Sequence, residues 1–200
     1  MFGLFKNKKK EFAKEIFGVF KPKIHVAKKI GKWEKTSTFG DVFIDDDYLL
    51  GFSNAYFGIV SKKSGYSGQD VGLILMDVYK LLDGTYSDLD KFQKIIQNYQ
   101  SAKSSGSKDL ILGEDHALMF FLVFTSDNDA HKFSKDPIYK EANKYFETGE
   151  FKKQSDWAKK FLPEEFSNSN TLSDAPSNII VAYRIFEQTF EKRLNKLFKI

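Results

Sequence analysis

Residues 179–197 read IIVAYRIFEQTFEKRLNKL, and along them Ile179, Tyr183, Phe186, Phe190, Leu194 and Leu197 recur at spacings of four, three, four, four and three. Those intervals are the 3.6-residue period of an α-helix buried along one side. The segments upstream repeat the pattern. Residues 109–125 are strongly apolar and include the longest uninterrupted apolar run, the eight residues 117–124; the stretch reads as a helix, with a strand the minority reading. Asp136-Pro137 is a helix start, because proline at the first helical position has no amide to leave unpaired. The helix it opens should run to about Glu147 and stop before Gly149. A shorter helix is expected at 155–161, and a polar loop at 167–178.

Nearer the N-terminus, residues 69–82 place Val71, Ile74, Leu75, Val78, Leu81 and Leu82 toward a core, and Asp83-Gly84 closes the helix. Ser87 and Asp90 resemble a capping box, with Asp in place of Glu or Gln, for a helix at 88–99. Residues 101–108 are a serine-rich connection. Asp45, Asp46 and Asp47 precede an apolar stretch at 48–60, where carboxylates cap free amides and complement the positive helix end. That helix should end near Lys63, before the glycines of 64–68. Strand alternation with hairpin turns is nearly absent. The expected fold is all-α: a single orthogonal or bundle-like domain of about seven to nine helices, with short strands admitted only between residues 24 and 44.

Charge divides the chain in two. Residues 1–35 hold 11 lysines against three glutamates, a net +8, and the other 165 residues carry −4, leaving +4 overall. The expected organisation is therefore a basic arm at 1–35 and a helical domain at 36–200, with polar loops at 101–108 and 167–178. Within the arm, residues 8–20 form an amphipathic helix. Phe5, Phe12, Ile16, Val19 and Phe20 share one face, Lys10, Glu11 and Lys14 lie opposite, and Lys9 intrudes on the apolar side. Pro22 stops this helix, since the residue before a proline is pushed out of the α region. Residues 24–33 are basic without a clean period.

Composition narrows the chemistry. Two hundred residues bury a sizeable core without staples, and 21 phenylalanines should dominate it. With no cysteine, the chain has no disulfide, thiolate nucleophile or zinc–thiolate site. Only Arg184 and Arg193 supply guanidinium groups against 29 lysines. Sequence-specific nucleic acid is thus not an expected partner, because base-edge reading leans on bidentate arginine. No run approaches the roughly 18–20 apolar residues of a membrane span, and charges interrupt any signal-type segment. The chain reads as cytoplasmic, with a membrane-peripheral location as the variant of that reading.

Catalytic motifs are not apparent. Glu114, Asp115 and His116 are consecutive, so on a helix they diverge by about 100° each and cannot meet at one ion. His25 and His131 stand alone in sequence. Asp127-Asn128-Asp129 opens like a calcium loop, but Lys132 and Ile138 occupy the positions of the glycine and the bidentate glutamate. Residues 64–68 are glycine-rich ahead of a helix, yet Gln69-Asp70 replace the lysine and hydroxyl of a phosphate cradle. No cofactor and no metal is expected, and no residue set carries a family resemblance.

Two groups remain as candidate sites. Phe2, Leu4, Phe5, Lys6, Lys8, Lys9, Lys10, Phe12, Ile16 and Phe20 combine charge with apolar surface suited to a protein partner or an anionic membrane. Gly51, Asn54, Ala55 and Gly58 form a stripe of small residues, a cleft wall or a close-packing seam. The leading expectation is a non-enzymatic interaction protein of the adaptor, inhibitor or immunity type, with a protein partner. The alternatives are peripheral membrane attachment through the arm, and an enzyme with an unrecognised carboxylate and histidine site.

Overall fold

The computed structural model describes residues 2–33, 37–84, 89–153 and 176–200. Among these, all regular structure is helical, as the periodicity predicts. The α-helices are α1 (Phe2–Gly18), α2 (Lys21–Ile30), α3 (Phe39–Ile44), α4 (Asp47–Lys63), α5 (Gln69–Leu82), α6 (Leu89–Ser104), α7 (Lys108–Phe124), α8 (Pro137–Glu147), α9 (Ser177–Phe186) and α10 (Lys192–Phe198). Short 3₁₀ turns cover Asn128–Phe133 and Glu150–Lys153, and a π turn, Glu187–Glu191, joins α9 to α10. The helix expected at 155–161, most of the 167–178 loop and Ser87 of the capping box lie outside the described residues.

The strands admitted between residues 24 and 44 are replaced by two helices among the described residues. Pro22 stands in the first turn of α2, where its fixed φ favours the helix instead of breaking it. For α3 the decisive feature is local capping. The Asp41 amide donates to Thr38 Oγ1 at 3.1 Å, while the Asp41 carboxylate accepts from the Thr38 amide at 3.3 Å. With α2, α3 and the division of the C-terminal helix at its π turn, the number of α-helices described rises to ten against the seven to nine expected.

Helix ends follow a recurring chemistry. Gly65 and Gly106 take positive φ just past α4 and α6, and the following amides, of Tyr66 and Ser107, reach back to the carbonyls of Ser61 and Ala102. The serine-rich connection is accordingly shorter than expected, residues 105–107, because α6 continues to Ser104. Asp136 caps α8 by accepting from the amides of Ile138 and Tyr139.

Packing separates the chain into two compact units, Met1–Leu118 with Phe190–Ile200, and Met119–Thr189. In the first, α1 lies along α5, and α4 packs with α3, α5 and α6. Phe20, 1% exposed, sits within ring-centroid distances of 4.9 Å from Phe57, 5.2 Å from Tyr56, 6.0 Å from Phe52 and 4.7 Å from Phe190. At the other end of α2, Phe198 stacks on Phe39 at 4.4 Å and meets Trp33 edge-on at 5.6 Å. Arg193 ties α10 to two helix starts. Its Nε donates to Asp46 at 2.8 Å and its Nη2 to Asp109 at 2.8 Å, while Asp46 also accepts from the Leu49 amide as the cap of α4.

The second unit is built on α8 against α9. Tyr145, Phe151 and Ile180 form its buried cluster, with Phe146 packed alongside. Arg184 lies 4.6 Å over the Tyr145 ring and donates to Glu141 at 2.9 Å.

Along 179–197, Tyr183, Phe186, Phe190 and Leu194 are buried as their spacing predicts. At the two ends the burial moves by one residue, to Ile180 and Phe198, while Ile179 and Leu197 are half-buried. The π turn explains the C-terminal shift: its wider winding lets Phe186, Phe190, Leu194 and Phe198 recur at a uniform four. Leu81 is the other correction. Expected in the core, it is 39% exposed, because the buried face of α5 centres on Ile74, Val78, Tyr79 and Leu82.

Candidate functional site

The basic arm is not a free appendage within its unit. Ala13, Ile16, Phe17 and Phe20, at spacings of three, one and three, are buried. This face is rotated from the predicted one toward Ala13 and Phe17. Phe12 is half-buried, its ring 4.9 Å from Tyr66. Lys8 and Lys10 are exposed, whereas Lys9 forms an ion pair with Asp70 at the start of α5. Phe2, Leu4, Phe5 and Lys6 belong to the first turns of α1; their side chains lie outside what the structure describes. In α2, Ile24 and Ala27 are buried and Lys23 pairs with Glu191 at 2.6 Å.

With the apolar side turned inward, the lysines are left on the outside. Between them opens a groove of about 420 Å³ lined by Lys14, Phe17, Lys21, Ile24, His25, Lys28 and Leu81. Phe17, Ile24 and Leu81 supply an apolar floor from α1, α2 and α5. Three lysines and an imidazole form the rim, and no carboxylate stands among the lining residues. Lys14 reaches Glu11 at 2.8 Å along its own helix, and Lys28 lies 5.3 Å over the Phe39 ring. Most of these residues escape a sequence reading, because they come from three helices, α1, α2 and α5, that meet only in the fold. Val26 and Ile30, 44% and 56% exposed, lie on the outer side of α2.

The small-residue stripe on α4 has mixed surroundings. At Gly51, a Cβ would stand 2.4 Å from the Leu110 carbonyl oxygen, so this glycine lets α7 cross in backbone contact. Asn54 accepts from the Tyr79 hydroxyl at 3.0 Å. Ala55 is half-buried, and a Cβ on Gly58 would meet nothing within 4 Å.

The acidic and histidine clusters serve different neighbours. Glu114 accepts from Tyr99 and from Lys103, Asp115 is exposed, and buried His116 hydrogen-bonds the Tyr48 hydroxyl through Nδ1 at 2.7 Å. Burial pushes the Tyr99 phenol up, and the Glu114 carboxylate adds to that rise, so Tyr99 stays a donor at neutral pH. His131 bonds to the Asn128 carbonyl in its own turn. Asp127 caps that turn through the Asp129 amide, and Asp47 accepts from the Ser107 hydroxyl at 2.6 Å. Among the described residues no three His, Asp or Glu side chains converge as a metal-binding group. The second unit has a concavity of its own, about 370 Å³, where Asp127, Asn143, Glu147 and Asn178 line the wall without a histidine. No helix among the described residues is long and apolar enough to cross a membrane.

Fold and surface together define an all-helical protein with a lysine-rimmed groove on its N-terminal helices. No protein-family model matches the chain, and neither a curated protein nor a solved structure matches it.

Proposed function

We propose that this is a non-enzymatic interaction protein that holds an acidic partner protein against the lysine face of α1 and α2. The observation that carries the reading is the division of labour within these helices. Ile16, Phe17, Phe20, Ile24 and Ala27 are committed to the core, while Lys8, Lys10, Lys14, Lys21 and Lys28 remain at the surface. A helix whose apolar face is already buried has little left to insert into a bilayer, but its charges stay available for steering an oppositely charged partner. Such a contact weakens as salt screens it, over a Debye length of about 8 Å at physiological ionic strength.

Charge reversal tests the reading. Lys8, Lys10, Lys21 and Lys28 are replaced together by Glu, folding is verified by circular dichroism, and both proteins are used for crosslinking capture in extracts of the source cell. A partner retained by the wild type, released by salt and lost on reversal supports the proposal. Equal retention by the reversed protein overturns it.

One observation favours a second reading. Val26 and Ile30 are exposed one turn apart on α2 beside Lys29, a pattern that suits an anionic membrane surface. Co-sedimentation with phosphatidylserine vesicles distinguishes the two, since Val26→Ser with Ile30→Ser should abolish vesicle binding and leave an acidic protein partner in place.

A further inference from the structure

The groove specifies more about the partner than its charge. We infer that it receives an amphipathic helix of the partner protein, one that carries carboxylates at seven-residue spacing beside an apolar anchor. This inference rests on the proposed interaction function and names the recognition element.

Three features support it. First, Lys21 and Lys28 stand seven residues apart on α2, and Lys14, on α1 before the turn, adds a third cation to the same rim. Seven residues are close to two helical turns, so along α2 the cations repeat at about 10 Å. A partner helix repeats its own side chains at that same interval, as flanking charges do in paired helices. Second, the floor between these cations is apolar. Phe17 and Ile24 are buried beneath it, and Leu81, which the periodicity predicts inside, remains 39% exposed at its edge. Third, the site is concave, and its volume of about 420 Å³ is within the range of pockets that enclose a ligand or an anchoring side chain. A flat bilayer cannot enter such a recess, whereas the ridge of a helix laid into a groove can.

Lys14 shows the exchange that binding would entail. Free, it turns to Glu11 on its own helix at 2.8 Å, an exposed pair of little net worth. A partner carboxylate beside an excluded apolar contact is the stronger competitor.

The test uses the full chain and a synthetic, fluorescein-labelled helical peptide of about 20 residues, roughly 30 Å long. It carries Glu at positions seven apart and one Leu stripe. Two controls have the same net charge: one with the Leu stripe replaced by Ser, the other with Glu positions scrambled. Anisotropy is read against the wild type, Lys21→Glu/Lys28→Glu, and Leu81→Gln. The last keeps every rim charge and alters a partly exposed side chain. Tight binding of the patterned peptide alone, weakened about tenfold (about 1.4 kcal/mol) by either variant, supports the inference.

Equal binding of all three peptides, sensitive to charge reversal but not to Leu81→Gln, overturns the helix-in-groove inference and leaves the acidic-partner reading standing. Capture of a cellular partner by the wild type that survives reversal of Lys8, Lys10, Lys21 and Lys28 sinks that broader reading instead. Phosphatidylserine vesicles binding while no peptide binds also overturns the inference, in favour of a membrane surface.

Discussion

Two glycines on different helices occupy reciprocal positions. Gly51 of α4 faces the Leu110 carbonyl of α7, and Gly113 of α7 faces Tyr48 and Phe52 of α4. A Cβ on Gly113 would lie 2.3 Å from the Tyr48 oxygen and 2.9 Å from the Phe52 nitrogen. Both contacts are backbone, which cannot swing aside as a side-chain tip does. Gly113→Ala should therefore cost about 1–3 kcal/mol, the usual range for overpacking a close contact. Gly58→Ala is the matched control, since nothing stands within 4 Å of its Cβ position. At this half-buried helical site with open space at the Cβ position, it should be neutral or raise stability by up to about 1 kcal/mol, the propensity difference between the two residues. Differential scanning calorimetry of the two variants decides the point. Similar melting temperatures would remove the argument that Gly113 is required by the crossing. Of the small-residue stripe, then, Gly51 has a packing reason that is visible only once α7 is placed, and Gly58 has none of that kind.

At the scale of an element, α3 illustrates how a six-residue helix is held. Burial pushes the Asp41 carboxyl up, but hydrogen bonds from the Thr38 hydroxyl and amide, together with Lys94, outweigh it and hold the group below the usual carboxylate value. A carboxylate depressed in the folded state contributes stability that is present above its unfolded value of about 3.9 and is lost as pH falls through the folded value. Asp41→Asn should then destabilise the protein at neutral pH, with the gap to wild type closing as pH drops below about 4. Urea unfolding at several pH values between 3 and 7 measures that gap. A gap that stays constant would mean that the charge contributes nothing and only the shape of the side chain matters. The same short cap, Thr38 with Asp41, is present in the sequence, but the surrounding residues carry no helical period long enough to mark it as a helix start.

For the molecule as a whole, the C-terminal segment completes a core that begins near the N-terminus. Phe190, Leu194 and Phe198 are all fully buried in the unit that holds α1 to α6. At about 1.5–3 kcal/mol each, their burial contributes on the order of 5–9 kcal/mol, comparable with the whole stability of an ordinary domain. Truncation after Thr189 should accordingly abolish the cooperative unfolding of that unit. Near-ultraviolet circular dichroism and a thermal melt would register the loss, and a retained sharp transition would refute it.

What the sequence determined by itself is what depends on neighbours three or four residues apart. The helical class, the start of α8 at Asp136-Pro137, the cap at Asp46 and the buried stripe through Tyr183, Phe186, Phe190 and Leu194 all follow from local spacing and local hydrogen bonds. The lysine face of the arm was equally legible, because charge is a property of composition. Tertiary structure alone decided which side of the arm would be covered. Phe20 finds its ring partners in α4 and at Phe190, far along the chain, and that docking rotates the buried face toward Ala13 and Phe17. It also decided that Leu81 would border a groove instead of entering the core, and that residues 24–30 would be helical. In each case the free energy comes from surface removed from water by a remote element, and no periodicity within a single segment encodes which element that will be.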